Sequence, residues 1–173
     1  MIHVIRTVDA HVGGQSLRLV VEGVPRPQGK TPAQQREWCA RHADGYRRAV
    51  VLEPRGHADM AAALLTLPSS PHAHAGILFM DAAGYPSMSG HGVIAVATIA
   101  LERDLIMLPA TPDGDTRFVF DTPAGVVQAH ARVETHARGR SVDAVAVTIS
   151  SALSASSEAA SHWGQPATHP HAG

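Results

Sequence analysis

The residues best suited to chemistry stand in one short stretch, Ser87-Met88-Ser89-Gly90-His91-Gly92. An apolar run over residues 76–80 precedes it and reads as a buried strand. A longer apolar run over residues 93–101 follows and reads as a helix. A turn at the mouth of a helix offers backbone N–H groups with no partner inside the helix, at the positive end of the helix dipole. Such a place suits a carboxylate or a developing oxyanion. Ser89 and His91 bring a hydroxyl and an imidazole to the same spot. Without that chemistry, Ser89 is a plain helix cap and His91 a helix-start histidine satisfied by a neighbouring carbonyl.

Two further stretches carry polar groups. Asp9-Ala10-His11-Val12-Gly13-Gly14 reads as a turn between strands, and His11 with the two glycines is a candidate lining for the same pocket. Glu53-Pro54-Arg55-Gly56-His57-Ala58-Asp59-Met60 follows an apolar run. Its Glu53, Arg55, His57 and Asp59 are expected to form a buried ion-pair network under the site rather than to act directly. The chain holds 12 histidines, but none at a recognisable metal-ligand spacing such as His-Glu-x-x-His, so no metal site is expected. His72, His74, His169 and His171 lie in Pro-, Ser- and Ala-rich loops. Cys39 is the single cysteine, which excludes an internal disulfide; it reads as structural, far in sequence from every site motif.

These groups need a scaffold. Strands are expected over residues 2–8, 17–22, 49–52, 61–67 (where the alanines also allow a helix), 76–80, 117–120, 125–134 and 141–149. The last two alternate apolar and polar positions. A helix is expected from Thr31 to Tyr46, with Pro32 at its first position and Gln34 completing a capping box with Thr31. A second helix over 90–103 is apolar nearly all round and should be buried. The 173 residues suit one domain over 1–149. Residues 150–173 lose apolar periodicity and read as a disordered or aberrant tail. A net charge of −1 gives no reason to expect a nucleic acid or an anionic membrane as partner. The start Met1-Ile2-His3-Val4-Ile5-Arg6 does not read as a signal peptide, and no apolar run suits a membrane helix. A cytoplasmic location is expected.

In order and spacing, the 9–14 and 53–60 motifs, Phe79-Met80-Asp81-Ala82-Ala83-Gly84-Tyr85 and the Ser89 turn resemble the N-terminal half of the proline racemase superfamily. That superfamily includes proline racemase, 4-hydroxyproline 2-epimerase and trans-3-hydroxyproline dehydratase. The resemblance runs over residues 5–148. It implies an α+β fold, a curved and mostly antiparallel sheet around a central helix. This is one half of a two-domain, diaminopimelate epimerase-like architecture. It implies chemistry at Cα of proline or a hydroxyproline, with no pyridoxal phosphate, no metal and no other cofactor. Two thiols, one from each half, face opposite sides of Cα in such a site. Ser89 stands where the family motif carries one of them. Gly90 and His91 match positions whose N–H groups hold the substrate carboxylate, and Asp81 one that orients the approach to the turn.

Serine is a far weaker acid than cysteine, so Ser89 cannot simply stand in for a thiolate. It needs a neighbouring base, or it serves as donor to a leaving group. Three functions therefore compete. Epimerisation or racemisation of 4-hydroxyproline or proline needs a base on each face. Dehydration of trans-3-hydroxy-L-proline needs one base and a departing hydroxyl, and Ser89 favours it. In the third, the chain is a truncated product, inactive because the partner residue belongs to a second half. A lone half exposes a face that invites self-association, so a homo-oligomer is also expected.

Overall fold

The computed structural model describes residues 4–108, 115–136 and 139–150. The elements run β1 (Arg6–Val12), β2 (Gln15–Glu22), α1 (Pro32–His42), α2 (Asp44–Val51), β3 (Ala61–Thr66), β4 (Ala75–Met80), α3 (Gly90–Glu102), β5 (Asp115–Thr122), β6 (Gly125–His136) and β7 (Gly139–Ser150). The strands form one 7-stranded sheet in sequence order, β1 to β7. Pairing is antiparallel at β1–β2, β3–β4, β5–β6 and β6–β7, and parallel at β2–β3 and β4–β5. Each parallel join is bridged by helix, α1 and α2 in the first case and α3 in the second, because a hairpin turn cannot connect parallel strands. Antiparallel pairs predominate, as the resemblance implies.

The sheet curls into a half-barrel around α3, which touches β1, β2 and β3 on one side and β6 and β7 on the other. Val93, Val96, Ile99 and Leu101 of α3 are buried among Leu17, Leu19, Ile77, Phe79, Phe118, Phe120 and Val127. Each such side chain contributes roughly 1.5–3 kcal/mol on leaving water. A smaller core on the other face gathers Val20, Val50, Val51, Met60, Ala62 and Met80 beneath α2. β4 lies between the two clusters and is buried at every position, which is why its sequence is a continuous apolar run without alternation.

The structure corrects several sequence expectations. The stretch 49–52, read as a strand for its Ala-Val-Val-Leu run, ends α2 instead, with Val50 and Val51 turned into the smaller core. A short apolar run suits either element, and packing against the sheet decides. The helix expected over 31–46 breaks at Ala43, whose ψ of 12° ends α1 and opens α2. Thr31 caps α1 as expected, accepting from the Gln34 N–H at 3.3 Å. The Gln34 side chain reaches the Lys30 N–H at 2.8 Å rather than that of Thr31, so the capping box is displaced by one residue. The first strand begins at Arg6, not residue 2, and extends to Val12. The expected tail, beyond residue 150, lies outside the described residues.

Candidate active site

Ser89 is the N-cap of α3. Its backbone is extended, its carbonyl accepts from the Val93 N–H at 3.0 Å and its Oγ accepts from the Gly92 N–H at 3.2 Å. Those two bonds satisfy the third and fourth N–H groups of the helix mouth. The N–H groups of Gly90 and His91 have no partner within the helix, as its geometry requires. Gly90 is exposed, and a Cβ there would meet nothing within 4 Å. The turn therefore presents two donors and a dipole end on an approachable backbone.

His91 folds back on the cap. Its Nδ1 lies 3.2 Å from Ser89 Oγ. Its Nε2 is buried with no hydrogen-bond partner. With one Oγ lone pair taken by Gly92, the hydroxyl proton is free to point at Nδ1 when that nitrogen is unprotonated. In the other tautomer Nδ1–H donates to Oγ. In both, serine and imidazole form a connected pair; in the first, the weakly acidic hydroxyl has a neighbouring base, and in the second, a neighbouring donor.

The approach to this turn is organised by Asp81. Its Oδ1 accepts from the Ala83 and Gly84 N–H groups at 2.9 and 2.8 Å, and its own N–H donates to the Gly84 carbonyl at 3.0 Å. This is a carboxylate-closed turn of the kind Asp favours.

The Glu53–Asp59 motif lies elsewhere and is organised differently. Glu53, Arg55, His57 and Asp59 are all exposed, and no ion pair joins them. The expected buried network is absent because β3 begins only at Ala61, leaving the motif in a surface loop. The anchor of that loop is Arg18, which sequence reading missed. It forks onto Asp9 at 2.8 and 2.7 Å and donates to the Val50 and Arg55 carbonyls at 2.8 and 2.6 Å. Gly56 closes the loop against α2, where a Cβ would sit 1.8 Å from the Val51 carbonyl oxygen. His57 Nδ1 accepts from the Asp59 N–H at 3.2 Å, and its Nε2 lies 3.4 Å from Ser16 Oγ. Ser16 pairs with His11 across the β1–β2 hairpin. His11, Ser16 and His57 thus gather at one end of the sheet. Alternation sets His11 on the face opposite Val8, Ala10 and Val12, which pack on the α3 core. No hydrogen bond links His11, His57 or Asp59 to the Ser89 turn.

Cys39 is buried in α1, and burial pushes its thiol up to about 11, fitting the structural role expected for it. It lines a small recess of about 10 Å³ between the α1–α2 pair and the sheet, with Tyr46, Arg47 and Tyr85; Ser89 is not part of its lining. Among the described residues no three His, Cys, Asp or Glu side chains gather into a metal-holding group, and no helix is long and apolar enough to cross a membrane.

Comparison with known proteins places this geometry. The family model described as proline racemase matches residues 7–161. Over 129 residues the chain is 40% identical to trans-3-hydroxy-L-proline dehydratase of Bacillus thuringiensis subsp. konkukian, covering 75% of this chain and 38% of that protein. Over 125 residues it is 42% identical to 3-hydroxyproline 2-epimerase of Burkholderia multivorans, covering 72% of this chain and 36% of the relative. The chain therefore spans less than half the length of these curated relatives. The crystal structure of a hydroxyproline epimerase from Agrobacterium vitis, with bound trans-4-hydroxy-L-proline, superposes with a TM-score of 0.72 at 28% identity. That match covers 83% of this chain and 41% of the other. From its motifs, its curled sheet around α3 and these matches, the chain belongs to the proline racemase family.

Proposed function

We propose that this chain supplies one wall of a site for Cα-proton chemistry on a hydroxyproline, and that the reaction is dehydration of trans-3-hydroxy-L-proline. The observation that carries the reading is the hydrogen-bonded Ser89–His91 pair beside the two N–H groups that α3 leaves without a partner. The Gly90 and His91 N–H groups hold the substrate carboxylate and the negative charge that spreads into it when Cα loses its proton. A base on the opposite wall, from a second half, takes that proton. The C–H electron pair becomes the Cα–Cβ double bond and the bond to the 3-hydroxyl breaks. Ser89 Oγ–H supplies the proton with which the hydroxyl leaves as water, and the imidazolium form of His91 gives its Nδ1 proton to Oγ in the same step, leaving a neutral imidazole.

A second reading is 2-epimerisation of a hydroxyproline, in which Ser89 returns a proton to Cα. The identity to the Burkholderia multivorans epimerase supports it. The same experiment separates the two. The chain is assayed as it stands, and fused after residue 149 to the C-terminal half of one of these relatives. The substrates are trans-3- and trans-4-hydroxy-L-proline in D₂O, followed by NMR. The chain alone should exchange no Cα proton. The fusion should release water from the 3-hydroxy substrate, and Ser89→Cys should raise epimerisation about tenfold, because a thiol restores an acid and base to this face. Exchange by the 173-residue chain itself would refute the half-site reading. A fusion indifferent to both Ser89→Cys and Ser89→Ala would reduce Ser89 to a helix cap.

A further inference from the structure

Arg47 lies far in sequence from the Ser89 turn, yet it is the side chain that holds the route into it. It is buried in α2 beside Asp44, and its fork takes both Asp44 oxygens, Nε to Oδ1 at 2.6 Å and Nη2 to Oδ2 at 3.1 Å. The remaining nitrogen, Nη1, donates to two successive carbonyls of the loop that leaves β4, Asp81 at 2.7 Å and Ala82 at 3.1 Å. The guanidinium carbon sits 5.9 Å from the centroid of the Tyr85 ring, at the far end of the same loop. One cation thus touches the loop at its start and at its end. Asp44 is the counter-ion that fixes its orientation. The loop is also closed on itself by the Asp81 carboxylate. Only residues 86–88 separate it from Ser89, and Met88 among them packs on the main core.

We propose that Arg47 is a positioning residue for the Ser89–His91 pair, acting through the 81–85 loop; the inference rests on the reading that this pair carries the chemistry. The physical argument is one of geometry. Only a planar guanidinium can grip a carboxylate with one edge and two adjacent carbonyls with another. A lysine reaches one of these partners at a time. Removing the fork leaves two carbonyls and a carboxylate without their donor, and the loop loses its tie to α2 while the sheet and α3 keep their own packing. The Ser89 hydroxyl and the Gly92 N–H would then sample a wider range of positions, although neither touches Arg47.

The test uses the chain as it is, with Arg47→Met and Arg47→Lys, and with Arg41→Met as a control that removes an exposed ion pair to Glu37 on α1. Amide exchange is read by NMR at Ala83 and Gly84, which donate to Asp81, and at Gly92, which donates to Ser89. The His91 ring nitrogens are read in the same samples. Arg47→Met should speed exchange at all three amides by about tenfold and shift the His91 ring signals, while β3–β4 ladder amides change by less than about twofold. Arg47→Lys should fall between. The control should match the parent. In the fusion described above, Arg47→Lys should lower kcat by about tenfold with KM within about twofold, the pattern of a misplaced reacting group. Folded Arg47→Met with parental exchange at Gly92 and parental His91 signals would overturn the proposal. If that variant does not fold, Arg47→Lys decides, and parental exchange in it rejects the role. These readouts report geometry and stand whether or not the fusion turns over a hydroxyproline.

Discussion

Gly92 sets the closest contact between the candidate turn and the sheet. A Cβ at that position would lie 2.7 Å from Phe79 Cε1, 3.0 Å from Phe79 Cδ1 and 2.9 Å from Ser89 Oγ. Alanine is ordinarily better than glycine in a helix by about 1 kcal/mol, while overpacking a filled core costs about 1–3 kcal/mol. The aromatic ring is fully buried and cannot swing away, so the second effect wins. Gly92→Ala should lower stability by about 1–2 kcal/mol in urea titrations, against the helix-propensity expectation. A gain in stability would mean that β4 yields to the new methyl. At this scale the sequence showed the cap and the helix mouth, because both are local and depend on residues three or four apart. It could not show Arg18 or Arg47. Their partners lie up to 37 and 35 positions away, and only the completed fold brings a guanidinium to a backbone carbonyl at that separation.

Two elements are tied down by charge. On the β1–β2 hairpin, the hydrogen-bonded Arg18 guanidinium holds the Asp9 carboxyl below its ordinary value of 3.8. On α2, Arg47 does the same for Asp44. Both carboxyls have a lower pKa folded than unfolded, so the stability they add is complete above the unfolded value. It is lost as pH falls through the folded one. Unfolding midpoints should therefore hold steady down to about pH 5 and decline toward pH 2. Asp9→Asn should flatten part of that decline, as thermal melts across the range would show. An equally steep acid limb in that variant would place the dependence elsewhere. Most elements were legible from periodicity, above all α3, apolar on every side, and the alternating β6 and β7. The stretch 49–52 was not, because an Ala-Val-Val-Leu run carries no period. Its fate was set by the smaller core that Val50 and Val51 enter.

As a whole molecule, the half-barrel buries one helix well and leaves apolar groups outside. Val4 is 69% exposed, Leu67 64%, Met107 91% and Ile149 53%. Scattered singly they would be unremarkable, but they accompany a sheet whose edge strands, among the described residues, are β1 and β7. The purified chain should self-associate at tens of micromolar, and sedimentation velocity at rising concentration would show it. A single monomeric species throughout would indicate that those edges and side chains are adequately shielded by the chain itself.

The strand order has a consequence for how the molecule comes into being. Every strand pairs with its neighbour in sequence, so the sheet can be laid down in the order in which a ribosome delivers it. To pair with one another, β1, β2, β3 and β4 need nothing that has yet to be synthesised. Their inner faces then receive α3, whose other side waits for β6 and β7. From the moment Leu101 emerges until the last hairpin closes, the most apolar helix in the chain stands half uncovered. During that interval the chain carries an aggregation hazard that the finished half-barrel, with α3 covered on both sides, does not.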